Sequence, residues 1–411
     1  MFWREVVMAV ASSIAMTPAI AAAQAAGQGA APPVTAGWQD GFVLQSPNGE
    51  NRLVLGLTTQ MDARFPLDEG HLVPSTFTLR KARPTFSGRV AKYFDFKVMP
   101  DFGGGTATVL DAYFDLRVSP KLRIRTGKDK TPVGYELLQG DPYLLFPERS
   151  LASLLVPNRD VGVQVQGDLS PHVSYSGGIF NGVLDGTNST NDIDTNDSKD
   201  LAGRVVWQPF RSTTSTTALN GLGFHLGGSN GKQSGALPAY KTLGGQTYFS
   251  YAADATAAGR RNRITPAVFY YYKAFGGFAE YVRSTYAISQ ADTRSDITNQ
   301  AWDVTGSYVV TGESASDRGL HPKHNFDPAN REWGAFQIAA RYSQLRVDPV
   351  AFANKLATSP ANQKASSVTI TLNWYPNSVL KYYATFERTS LTGGALSRHE
   401  NVIVVRAQMA F

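Results

Sequence analysis

The sequence predicts an all-β chain: a transmembrane antiparallel β-barrel of about sixteen strands. Three observations predict it. Segments of alternating apolar and polar residues recur along most of the chain, and short connections alternate with long ones. The chain also begins with an export-like segment, yet offers no later apolar run of roughly 18 residues that could cross a bilayer as a helix.

Residues 1–23 read as a secretory signal. Arg4 supplies the positive start, Val6 to Ile20 form a short interrupted apolar run, and Ala21, Ala22 and Ala23 offer a small-residue cleavage site before Gln24. Residues 24–37, small and rich in Pro and Gly, read as a flexible periplasmic linker. The barrel is expected over residues 38–411. Of the 411 residues, 42% are hydrophobic, a soluble-like figure that a barrel explains because only every second residue faces lipid. The 22 Phe, 18 Tyr and 6 Trp can supply aromatic girdles. With no cysteine, disulfide frameworks and thiolate sites are excluded. The formal net charge of +6 permits an anion preference without requiring one.

The strand signals are clearest where both faces can be read. Val161, Val163 and Val165 alternate with Gln164, Gln166 and Asp168, and Leu110, Ala112, Phe114 and Leu116 with Asp111, Tyr113, Asp115 and Arg117. Phe336, Ile338, Ala340 and Tyr342 alternate with Gln337, Ala339, Arg341 and Ser343, and Val368, Ile370, Leu372 and Trp374 with Thr369, Thr371 and Asn373. The final strand places Ile403, Val405, Met409 and Phe411 on one face and Val404, Arg406 and Gln408 on the other, as lipid on one side and water on the other would require. Tight turns are expected at Val118 to Pro120, Leu169 to His172, Lys273 to Gly276 and Tyr375 to Ser378. Long connections are expected at Pro66 to Ser75, Thr131 to Asp160, Asp185 to Asp200, Asn230 to Asn262 and Asp348 to Ser366, with Thr311 to Arg331 a long connection on the periplasmic side.

A family resemblance rests on motifs spread in order over the mature chain. Trp38 to Phe42 leads to Gln60–Phe65; then come Lys128 to Gly134, Pro147 to Leu151, Asn158 to Gln164, Thr311 to Glu313, Trp333 to Phe336, Ala340 to Tyr342 and Leu372 to Tyr375. Together they resemble the phosphate-selective porins O and P. The resemblance implies a homotrimer of sixteen-stranded outer-membrane barrels in a Gram-negative bacterium, each with its own water-filled pore. It also implies that the loop after the fifth strand, residues 131–160, folds inward as a constriction. That loop carries Leu151, Leu154 and Leu155, which an outward flap would expose.

Conduction needs charged side chains at a constriction rather than catalytic groups. Lys121, Arg123 and Arg125 share one face of an expected strand from Lys121 to Lys128, giving a basic row; ion pairs with Asp111 and Asp115 are the structural alternative. Arg80 and Lys81 stand where the family carries basic pore residues, and Asp101 where it carries an acidic partner. An ideal strand cannot point both Arg80 and Lys81 inward, and Arg83 falls on the face of Phe77 and Leu79; a bulge, a subunit interface or an interfacial position would resolve the conflict. Arg149, Arg159 and Lys241 complete the pore-lining, anion-binding set. The family's arginine ladder is missing, since the matching stretch from Ala236 to Gly245 offers only Lys241. The family's early loop lysine is missing as well, between Glu136 and Pro142.

The resulting expectation is an anion-preferring passive channel, with inorganic phosphate as one candidate solute. A weakly selective general porin and a non-conducting structural or adhesive barrel are the alternatives. No catalytic group, cofactor or metal site is expected. The six histidines are scattered, with His321 and His324 the one close pair, and the Asn- and Asp-rich stretch from Asn188 to Asp200 lacks calcium-loop spacing. Gly103 to Gly105 read as a hairpin turn, and nothing favours nucleic acid.

Overall fold

The computed structural model describes residues 34–39, 41–68, 73–189, 197–212, 214, 217–291, 293–394 and 398–411. The expected signal segment and the linker up to residue 33 lie outside the described residues, as do His71 and much of the Asn- and Asp-rich stretch. The end of the linker is not irregular: β1 (Thr35–Trp38) pairs with β2 (Phe42–Gln45) as an antiparallel hairpin. Backbone pairing overrides the small-residue composition there.

The barrel wall begins later than expected, at β3 (Arg52–Pro66), and continues through β4 (Thr76–Val90), β5 (Phe94–Asp101), β6 (Thr108–Ser119) and β7 (Leu122–Lys130). It proceeds with β8 (Arg159–Ser170), β9 (Val173–Phe180), β10 (Asp200–Trp207) and β11 (Leu222–Gly235). A small hairpin, β12 (Tyr240–Lys241) with β13 (Thr247–Phe249), interrupts the wall. The wall resumes with β14 (Ala255–Tyr272), β15 (Phe275–Gln290), β16 (Thr293–Val309) and β17 (Ala335–Arg346), then β18 (Lys364–Tyr375), β19 (Leu380–Thr392) and β20 (Arg398–Ala410). Each wall strand pairs antiparallel with the next, and β20 returns to β3 from Val402↔Pro66 to Ala410↔Thr58. Sixteen strands thus close with no unpaired edge facing lipid. Below the end of β20, β2 pairs with Arg52 to Leu55 of β3, so Trp38 and Phe42 gather around Phe411 with ring centroids 5.2 and 6.0 Å away.

The polarity of a soluble protein is inverted across this wall. Ile338, Ile370, Val405 and Trp302 are exposed on the outside, while Gln337, Arg341, Thr369, Asn373, Asp303 and Arg406 are buried inside. The alternation read in the sequence has the expected sidedness. Turns at 91–93, 120–121, 171–172, 273–274 and 376–379 are short and mark the periplasmic end, where the longer connections 208–221 and 310–334 also lie. Among the outer connections, the one expected from Asn230 to Asn262 shrinks to 236–254, because β11 and β14 extend beyond the membrane-facing section as a tall paired ribbon.

Gly103–Gly105 form the expected turn between β5 and β6, with Gly104 and Gly105 at φ 71° and 78°. A Cβ on Gly103 would lie 2.7 Å from the Arg80 carbonyl oxygen, so this turn can press against β4 only with glycine there.

Residues 131–158 do not cover the barrel from outside; they run through its interior. Leu151, Leu155 and Val156 pack against Val282, Ile288, Ile297 and Leu345 of the wall, together with Tyr240, Phe249 and Leu356 from the outer connections. Each fully buried Leu contributes about 1.5–3 kcal/mol. This apolar filling occupies the side of the barrel formed by β14 to β18.

Candidate functional site

The charged side of the interior begins with a displaced residue. Gln60 pairs with Lys81 and Met61 with Leu79, leaving Arg80 as the extra residue of a β-bulge. The bulge resolves the conflict between sequence neighbours. Phe77 and Leu79 face lipid before it, Lys81 and Arg83 are buried inside after it, and Arg80 also reaches inward. All three basic side chains meet the inner loop.

Two carboxylates of that loop receive them. Asp141 is ion-paired with Lys81 at 2.9 Å, with Arg149 at 2.6 Å and with Arg83. Glu148 lies 2.5 Å from Arg64, 3.0 Å from Arg80 and 3.5 Å from Arg406. Burial alone would push both carboxyls up. The surrounding cations, Lys81 and Arg149 at Asp141 and Arg80 and Arg406 at Glu148, instead hold them well below the usual carboxylate range.

Backbone groups of the loop are caught as well. Arg341 donates to the Glu148 carbonyl, Lys381 to that of Leu144 and Arg406 to that of Pro147. On the far side, Glu280 accepts the backbone N–H groups of Tyr135 and Glu136 at 2.7 and 3.1 Å. The loop is therefore fastened around most of the wall.

Between the loop and the wall formed by β3 to β10 lies a cavity of about 400 Å³. Arg83, Lys97, Arg125, Lys130, Arg159 and Arg204 line it, against the carboxylates of Asp111, Asp129 and Asp141. Most of these cations are tied. Lys97 and Arg159 share Asp111 at 2.7 and 2.6 Å. Arg125 lies bidentate on Asp115 at 2.7 and 2.8 Å, contacts Asp129, and stacks 3.7 Å from the centre of the Tyr113 ring. Lys130 donates to the carbonyls of Leu137 and Gln139. Arg204 projects into the cavity with no carboxylate partner among the described residues. The lining is polar, with more cations than carboxylates.

The sequence profile of the family described as phosphate-selective porin O and P matches residues 54–411. The chain belongs to this family.

Solved porins share its fold. The anion-selective porin from Comamonas acidovorans is 12% identical, with 88% of this chain and 100% of that one covered at a TM-score of 0.56. OmpF of Salmonella typhi, in complex with daunomycin, is 13% identical, with 92% and 100% covered at 0.56. In-vitro folded OmpT of Vibrio cholerae is 11% identical, with 88% and 98% covered at 0.55. No curated protein sequence matches the chain. The molecule is an outer-membrane porin of a Gram-negative bacterium, and its barrel forms a channel.

The porin brings some of the expected site residues together and separates others. Arg80, Lys81 and Arg149 converge on the loop carboxylates, and Arg125 and Arg159 reach the cavity. Asp101 does not face the cavity; it accepts from Arg83 at 2.7 Å and from the backbone of Ala82 and Gly103, holding β4 to the end of β5. The basic row is shorter than expected. Lys121 lies in the turn before β7, which runs on to Lys130, and exposed Arg123 has no ion pair among the described residues. Of the two acids expected to pair with that row, Asp115 takes Arg125, whereas Asp111 takes Lys97 and Arg159. Lys241 is exposed on the outer hairpin and does not line the cavity.

Sequence reading missed Arg64, Asp62, Arg406, Lys130 and Arg204 as site residues. Their signal was available, as charged residues on the polar face of alternating strands. Arg204 follows Ala202 on the inward face of β10, but Gly203 dilutes the alternation there. His321 and His324 are exposed, with His324 3.8 Å from Glu332. No cluster of three or more metal-ligating side chains occurs among the described residues.

Proposed function

We propose that this porin passes small anions in preference to cations through the passage between the inner loop and the β3–β10 wall. The observation that carries the proposal is the lining of that passage, with six cations against three carboxylates and Arg204 without an ion pair among the described residues. A narrow, low-dielectric constriction focuses such an excess onto permeating ions. The family description and the anion selectivity of the Comamonas porin point the same way.

Inorganic phosphate is a candidate solute rather than a privileged one. Tight phosphate capture uses several convergent, unoccupied donors. Here Arg83, Arg125 and Arg159 already hold carboxylates, and the outer loop supplies a single lysine in the stretch from Ala236 to Gly245. We further propose a homotrimer, as for OmpT, of which a trimer form has been solved.

The test is the zero-current potential of the purified trimer in a planar bilayer under a chloride gradient, with phosphate then added. A potential on the anion side supports the proposal, and block by low phosphate adds a phosphate site. A potential near zero leaves a general porin, and absence of conductance from a heat-modifiable trimer leaves a structural barrel.

A further inference from the structure

Below the inner loop the interior opens into a second compartment of about 170 Å³, between the loop, the connection 310–334 and the periplasmic ends of β19 and β20. Arg318, His321 and Lys381 line it, and no Asp or Glu side chain does among the described residues. Arg318 is exposed, and its guanidinium has no ion pair among the described residues. Lys381 is buried, donates to the Leu144 carbonyl at 2.7 Å and lies 4.0 and 4.9 Å from the ring centres of Tyr383 and Tyr375. Most of the remaining lining is apolar or aromatic, notably Tyr143, Leu320, Tyr375, Leu380 and Phe411.

Tyr143 borders both this compartment and the basic cavity above it. Its side chain stands in the passage, and the residue is 44% exposed. Glycines on either side hold the ring. A Cβ on Gly140 or on Gly319 would come within 2.9 Å of it, so the periplasmic connection meets the loop at this ring. Gly319, at φ 96°, also needs glycine for its backbone.

This combination suits a particular ligand. An inorganic oxyanion is recognised by donors alone and gains nothing from Tyr143, Leu320 or Leu380. An anion with a flat apolar body gains from both surfaces, its charge on the guanidinium and its ring against the aromatic wall. The volume falls below the roughly 300 Å³ of a drug-sized pocket and limits the body to about one ring.

We propose that the compartment bounded by Tyr143 and Arg318 is a binding site for small aromatic carboxylates, reached through the basic cavity. The proposal rests on the anion-preferring reading above and names its solute class. Tyr143 forms the step between a charged vestibule and a site that is cationic on one side and apolar on the other.

The test measures chloride current through single trimers in a planar bilayer, with benzoate, acetate or phosphate added on the periplasmic side. Benzoate should halve the current at a concentration at least about tenfold below that of acetate or phosphate, a ratio that corresponds to about 1.4 kcal/mol. Arg318→Gln and Tyr143→Ser should each bring benzoate close to acetate. Equal potency of benzoate and acetate in the unaltered porin overturns the proposal, as does phosphate acting at lower concentration than benzoate. Benzoate potency unchanged in both variants also overturns it. Failure of the anion preference itself is read separately, from the zero-current potential of the unaltered porin.

Discussion

Arg406 on the last strand lies bidentate on Asp62 of the first wall strand, with Nε and one terminal nitrogen 2.6 and 2.8 Å from its two oxygens. The two residues are direct cross-strand partners, both buried. The same guanidinium donates to the Pro147 carbonyl, so one side chain ties the barrel seam to the inner loop.

Loss of that side chain should therefore affect stability and conductance together. Arg406→Ala leaves Asp62 buried with only Arg64 at 2.9 Å, and breaking a buried pair costs about 3–5 kcal/mol. The expected outcome is a lower unfolding temperature of the folded band on heat-modifiability gels and a larger, noisier single-channel current. Asp62→Leu combined with Arg406→Met should recover most of the stability while the current stays enlarged. Unchanged conductance in both variants would show that the loop is held elsewhere.

Deletion of Arg80 should be tolerated. As the extra residue of the bulge, it can be removed while Leu79 still faces lipid and Lys81 the interior. Glu148 keeps Arg64 and Arg406, and a half-exposed ion pair contributes about 1 kcal/mol or less. A heat-modifiable barrel with weaker anion preference is expected. Failure of this variant to fold would mean that the bulge itself holds the strand pair.

Arg123→Gln and Arg125→Gln each remove one positive charge, but with unequal effect. Arg125 lines the cavity between two carboxylates, whereas Arg123 is exposed near the periplasmic end of the wall, where salt screens it. The zero-current potential should move toward the cation side at least about twofold further for Arg125→Gln. Equal shifts would place the selective field in the wider part of the lumen.

Acid should release the inner loop only at low pH. A carboxyl whose pKa is depressed on folding adds stability that is present above its ordinary pKa and is lost as pH falls through the depressed value. Asp141 and Glu148 are both held well below the usual range. Single-channel conductance should stay level from about pH 8 to pH 5 and change only well below about pH 4. A step between about pH 5 and 6 would show that Asp141 and Glu148 do not control the position of the loop.

What the sequence by itself determined was the wall. Ile338 beside Gln337, and Val405 beside Arg406, announce lipid on one side and water on the other, because the period of two is set within each strand by local backbone geometry. Only the tertiary structure decided which charges remain free. Arg80 and Lys81 both reach the interior because of a bulge set by the pairing of β3 with β4, and Asp141 draws cations from β4 and from its own loop. Arg406 finds Asp62 across 344 positions only when the barrel closes, and Arg83, Lys97, Arg125 and Arg159 take carboxylates while Arg204 makes no ion pair among the described residues. Faces follow from neighbours along the chain, whereas the balance of charge in a lumen depends on the path of a loop through it.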